Sequence, residues 1–125
     1  MRHILTHRDL DVWREGLTLA ELIYKATAGF PDSERFGLSV QMRRAAVSVV
    51  SNVAEGAARD STREFARYIS MARGSIAELD AQLVLAARLG ILPLQSGCER
   101  QLMRTAQMMS ALHRALKAKL RHRGA

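Results

Sequence analysis

The sequence predicts an all-α protein: one domain over residues 1–125, built as an antiparallel up-down-up-down four-helix bundle. Three observations predict it. The chain has 125 residues, 48% of them hydrophobic, enough for one apolar core without disulfides or metals. Aromatics make up 5%, and the strong helix formers Ala, Leu, Arg, Glu and Met prevail. Apolar residues recur at three- and four-residue steps in four stretches, with turn signals between them and no strand-like alternation.

The first helix is expected over about 9–28, capped by Asp9 or Asp11. Val12, Trp13, Gly16, Leu17, Leu19, Ala20, Ile23 and Tyr24 recur at helical spacing along it, with Trp13 and Tyr24 as core anchors. Gly29 and Pro31 end it, and Asp32 or Ser33 can cap the next helix, expected over about 34–59. Ser61 and Glu64 form a capping box for a third helix over about 61–89. Its seam, Phe65, Ile69, Ala72, Ile76, Leu79, Leu83 and Ala86, alternates four- and three-residue steps, and Gly90 stops it. A second box, Ser96 with Glu99, opens a fourth helix over about 96–122. Its seam carries His113, read as a hydrogen-bonded core histidine.

The second helix raises a question. In "SVVSNVAEG" a hydroxyl, an amide and a carboxylate interrupt an apolar run. At about 100° per residue, Gln41, Arg44, Ser48, Asn52, Glu55 and Arg59 fall within an arc of about 80°, and nearly all the rest is apolar. A surface helix of a monomeric bundle needs an apolar stripe little over 100° wide. The excess implies cover on more than one side, hence self-association. Gly74 and Glu78 lie opposite the third helix's seam. A mid-helix glycine costs about 1 kcal/mol against Ala, so Gly74 suggests another backbone packed against it, between subunits. Arg44, Ser48, Asn52, Glu55, Arg59, Gly74 and Glu78 are therefore expected to form a buried polar network or an oligomer interface. The competing expectation is a line that faces water.

Net charge is +7, and residues 91–125 hold seven Lys and Arg against one acidic residue. Arginine supplies 16 of the 19 cations and suits bidentate contact with phosphate or carboxylate. The start of the chain shows no signal-peptide pattern, no apolar run is long enough to cross a membrane, and the single cysteine, Cys98, allows no internal disulfide. The expected location is the cytoplasm. No residue three positions after a glutamate is histidine, so the di-iron pattern of helical bundles is absent. There is no zincin motif and no phosphate-binding glycine loop. His3 and His7 are four apart but precede the first cap, and Cys98, in a first helical turn, has no base beside it in sequence. No catalytic, metal or cofactor residue is assigned, and no enzyme is expected.

"FPDSERFGLSVQMRRAAVSVVSNVAEG" followed by "EFARYISMARGSIAELDAQLVLAARLGIL" resembles the four-helix-bundle family of 23S rRNA-intervening-sequence proteins. The resemblance covers about residues 9–92, and its most specific pieces are "QMRRAAVS", "NVAEG" and "GSIAE". It implies an antiparallel bundle assembled as a homopentameric ring. The family's name reflects reading frames within inserts of large-subunit rRNA genes, a genomic location. The family is also similar to the accessory protein of diversity-generating retroelements, a basic pentamer that binds nucleic acid.

The expected function is that of a non-enzymatic oligomer binding RNA or DNA through sequence-independent phosphate contacts. Arg104, Arg114, Lys117, Lys119, Arg121 and Arg123 are the candidate contacts. The alternative is a scaffold for an acidic protein partner.

Overall fold

A computed structural model describes residues 7–122. Its four α-helices are α1 (Asp11–Ala28), α2 (Leu38–Ala57), α3 (Thr62–Arg88) and α4 (Cys98–His122), and there is no strand among the described residues. Short 3-10 turns at His7–Asp9 and Asp32–Glu34 precede α1 and α2. The helices pack in cyclic order, α1 on α2, α2 on α3, α3 on α4, and α4 back on α1. No described helix is long and apolar enough to cross a membrane.

One seam of each helix enters a shared core. Leu19 and Ile23 of α1, Met42, Val49 and Val53 of α2, Ile69, Leu79 and Leu83 of α3, and Met109 of α4 are fully buried. The seam expected for α3 is nearly all buried, Phe65 being the partly buried exception. Two glycines allow close approach. A Cβ on Gly16 would stand 3.0 Å from Val50 Cγ1. A Cβ on Gly56 would stand 2.8 Å from Tyr68 Cβ and 3.3 Å from the Phe65 carbonyl oxygen, so α2 and α3 meet there only because the side chain is missing.

Helix starts follow local chemistry, not always as expected. Ser61 caps α3 by accepting from Glu64 N at 3.1 Å, but the Glu64 carboxylate turns to Arg67 Nε at 3.2 Å instead of reaching back. α1 has Leu10 at its cap position without a side-chain bond, and Asp11 is its first residue, paired with Arg14. α2 begins at Leu38, because Glu34 Oε1 accepts from Leu38 N at 3.0 Å and so acts as the cap across the turn. The Ser96–Glu99 box does not form. Ser96 Oγ accepts from Cys98 N at 3.2 Å, and Gly97, at φ 77°, makes the turn into α4.

Two side chains, Tyr24 and His113, sit elsewhere than expected. Tyr24 is exposed with Arg43 over its ring, 4.5 Å from the centroid, while Trp13 is half-buried against the core. His113 is half-buried at the α3–α4 border and not in the core. Cys98 is fully buried, and that burial raises its thiol pKa, against the thiolate that a helix start favours.

Three consequences can be measured by thermal or denaturant melts. Glu34→Ala removes the α2 cap and should cost about 0.5–2 kcal/mol. Glu55→Ala, which breaks only a solvent-exposed pair, should cost at most about 0.5 kcal/mol. Gly56→Ala forces a methyl group into the α2–α3 contact and should cost about 1–3 kcal/mol through overpacking.

Candidate nucleic-acid interface

The polar line of α2 divides into an inner and an outer part. Ser48 and Asn52 are half-buried. Ser48 Oγ lies 2.8 Å from Ser75 Oγ on α3. Asn52 Nδ2 donates to the Ser48 carbonyl at 2.9 Å and to Ser48 Oγ at 3.0 Å, so it stays on its own helix. Arg44 and Glu55 are exposed, and Glu55 meets Arg59 at 3.6 Å at the surface. Arg59 also donates to the Tyr68 hydroxyl at 2.8 Å and lies over its ring. Within one subunit the line is thus a hydroxyl-and-amide tie to α3 with a solvated flank, not a buried ion network. Gly74 and Glu78 are exposed, and nothing in the chain comes within 4 Å of a Cβ built on Gly74.

The five candidate cations among the described residues occupy two surfaces. Arg104 Nε pairs with Glu15 Oε1 of α1 at 2.9 Å, and Gln101 Nε2 donates to the same carboxylate oxygen at 2.8 Å. Eighteen residues are five helical turns, so Lys119 falls on the flank of Gln101 that faces α1. Lys117 lies on the other flank, toward α3, with Arg114 and Arg121 about one turn to either side. Arg123 lies outside the described residues, as does His3.

On that second flank the structure adds cations from α3. A cavity of about 290 Å³ is lined by Arg63, Arg67 and Ser70 of α3 and by His113, Lys117 and Leu120 of α4. Arg73 Nη1 stands 3.2 Å from His113 Nδ1 at its border. Arg73 has no proton to spare from its charge, so it donates and the neutral imidazole accepts. Burial, then the charges of Arg73 and Lys117, hold the His113 pKa below its ordinary value. Among the described residues, Arg67–Glu64 is the ion pair that touches this set. Arg73 also lines a second cavity between α3 and α4, of about 520 Å³, with Ile76, Leu102, Ala106, Asp80, Gln107 and Ser110.

Residues 1–90 are almost neutral in sum, which hides Arg63, Arg67 and Arg73 from a count of charge along the chain. Their spacing was the available signal. Arg63 and Arg67 are four apart and flank the helical seam, and only the pairing of α3 with α4 shows which cations they join. Among the described residues, no group of three His, Cys, Asp or Glu side chains could hold a metal ion.

A comparison with curated proteins found no match. A family model described as "23S rRNA-intervening sequence protein" matches residues 8–114, which takes in α1, α2, α3, the α3–α4 connection and most of α4. With its four-helix all-α fold and that match over most of its length, the chain belongs to the 23S rRNA-intervening sequence protein family.

Proposed function

We propose that this protein is a non-enzymatic, self-associating helical bundle of the cytoplasm that binds RNA or DNA through sequence-independent phosphate contacts. The observation that carries the reading is the basic cleft between α3 and α4. Arg63, Arg67, Arg73 and Lys117 converge there, Arg114 and Arg121 extend the flank, and Glu64 is their one ion-pair partner among the described residues. Arginine forks match phosphate oxygens, and a row of them along a helix edge tracks a backbone without reading bases. The family description points loosely to association with RNA, and a kinship with the nucleic-acid-binding retroelement accessory protein belongs to this reading.

Topology and assembly belong to this reading. Contacts pair Gly16 with Val50 and Thr27 with Arg43, and Ser48 with Ser75 and Arg59 with Tyr68. In each set the number rises on one helix as it falls on the other, which supports antiparallel, up-down-up-down helices. Val47, Met71 and Leu85 are 42%, 40% and 49% exposed on the outer faces of α2 and α3, beside the bare Gly74. A homopentameric ring would cover such faces. Five copies of a +7 chain would carry about +35 and multiply weak phosphate contacts into avidity.

A scaffold for an acidic protein is the second reading. It is favoured by Val84, Leu89, Leu94 and Met103, exposed apolar residues around the α3–α4 connection.

Binding of unrelated RNA and DNA oligomers across a salt series tests the first reading. Log affinity should fall with log salt at about −0.9 per neutralised phosphate on duplex DNA. The joint variant Arg63→Gln, Lys117→Gln and Arg121→Gln should flatten that slope for all sequences alike, whereas Arg104→Gln, already paired with Glu15, should change it little. Absence of binding at low salt would favour the acidic-protein scaffold.

Light scattering should give a multiple of the 13.9 kDa chain, five for the ring. Gly74→Ala separates two outcomes. On a solvent-facing helix it should stabilise by up to about 1 kcal/mol. At a subunit contact, Gly74→Leu should dissociate or destabilise the assembly by about 1–3 kcal/mol.

A further inference from the structure

The polar contact that joins α3 to α4 differs in kind from those at the other helix borders. Arg43 Nε donates to the Thr27 hydroxyl at 2.8 Å, Ser48 meets Ser75, and Gln101 donates to the Glu15 carboxylate. Each of these sets a donor against an oxygen. At the α3–α4 border Arg73 donates to the His113 ring, a base that can itself become a cation. The groups around it deepen the problem. Arg63 and Arg67 of α3 and Lys117 of α4 line the same cleft. Arg114 follows His113 on its own helix. Of the acids nearby, Glu64 pairs with Arg67 at the cleft and Asp80 lines the adjoining cavity with Arg73, while on α1 Glu15 is engaged with Arg104 and Asp11 with Arg14. Protonating His113 would cost it the bond from Arg73 and set two cations side by side, about 3.2 Å apart. A phosphate group in the cleft would reverse this, because both cations could then donate to its oxygens.

We infer that the cleft formed by Arg63, Ser70, His113 and Lys117, backed by Arg73, is a phosphate-binding site whose occupancy is coupled to protonation of His113. That the phosphate belongs to a nucleic-acid backbone rests on the function proposed above; the coupling rests on the cleft alone. Phosphate raises the His113 pKa, since it favours the charged ring that the empty site disfavours. By linkage, phosphate then binds more tightly as pH falls through the interval between the depressed pKa of the free site and the raised pKa of the occupied one. Each unit of separation between the two is worth a factor of about ten in affinity.

The test follows the His113 ring by NMR across pH, in chloride and in inorganic phosphate at equal ionic strength, assigned by comparison with His113→Gln. Binding of one mixed-sequence single-stranded RNA oligomer is measured in parallel at pH 8 and pH 6. The His113 pKa should rise in phosphate, and the rise should shrink in Lys117→Gln. RNA affinity should increase about three- to tenfold from pH 8 to pH 6, and His113→Gln should remove most of that increase. A His113 titration that phosphate leaves unmoved overturns the inference, as does an unchanged pH response in His113→Gln. RNA retention with a steep salt slope but a silent His113 would leave the proposed function standing and remove this site from it. A His113 shift in phosphate without RNA retention would uphold the site and remove nucleic acid as its ligand.

Discussion

Gly56 sits where the end of α2 runs into the first turns of α3, and a single methyl group there would collide with Tyr68 and Phe65. The rest of the α2–α3 pairing depends on that contact. With the backbones this close, the Arg59 guanidinium reaches the Tyr68 hydroxyl and lies over its ring, and two turns along α3 Ser75 meets Ser48. Once Ile69, Ala72 and Ile76 enter the core, the residue after Ala72 is turned by about 100° toward α4. That residue is Arg73, which meets His113. A packing constraint between two helices thus decides which cations reach a third.

The core itself is almost wholly apolar, and two of its polar members, Thr27 and Thr105, are satisfied locally. Thr27 and Thr105 are buried, and each hydroxyl donates to the carbonyl four residues earlier, at 2.7 and 2.9 Å. The specific polar contacts stand at the borders between helices, where water can still solvate one side. Core residues such as Leu, Ile and Val tolerate sliding by a turn at modest cost, but an arginine held to Thr27 or a glutamine held to Glu15 does not. These border contacts select which helices are neighbours and at what height, at little desolvation cost because none is deeply buried.

That economy is broken on one side of the molecule. The Arg104–Glu15 pair neutralises the α1–α4 border, and at the α2–α3 border the Ser48–Ser75 contact is uncharged while Arg59 is paired with Glu55. The α3–α4 border gathers arginine, lysine and histidine around an open cleft. Like charges held together by a packed scaffold are stable only because water and counterions screen them. The same arrangement favours an anion whose charge is presented as a row.

Much was legible in the chain by itself, because helix formation depends on short-range periodicity. The α3 seam, the Ser61 cap and four helices with their approximate limits follow from spacings of three and four residues. The limits missed were those set by side chains acting across a turn, as Glu34 does for Leu38 and Ser96 for Cys98. Residue types also showed that α2 carries hydroxyl and amide groups on one line, but not that Ser75 answers Ser48 from 27 residues away. The candidate site was legible by half. A run of cations near the end of the chain is visible as composition, so Lys117 was found. Arg63, Arg67 and Arg73 sit among acids in a nearly neutral stretch, and only tertiary packing sets them beside Lys117 and His113. Sequence determined the helices because their bonds join residues four apart; the structure decided the cleft because its charges come from two helices whose facing sides are chosen by the core.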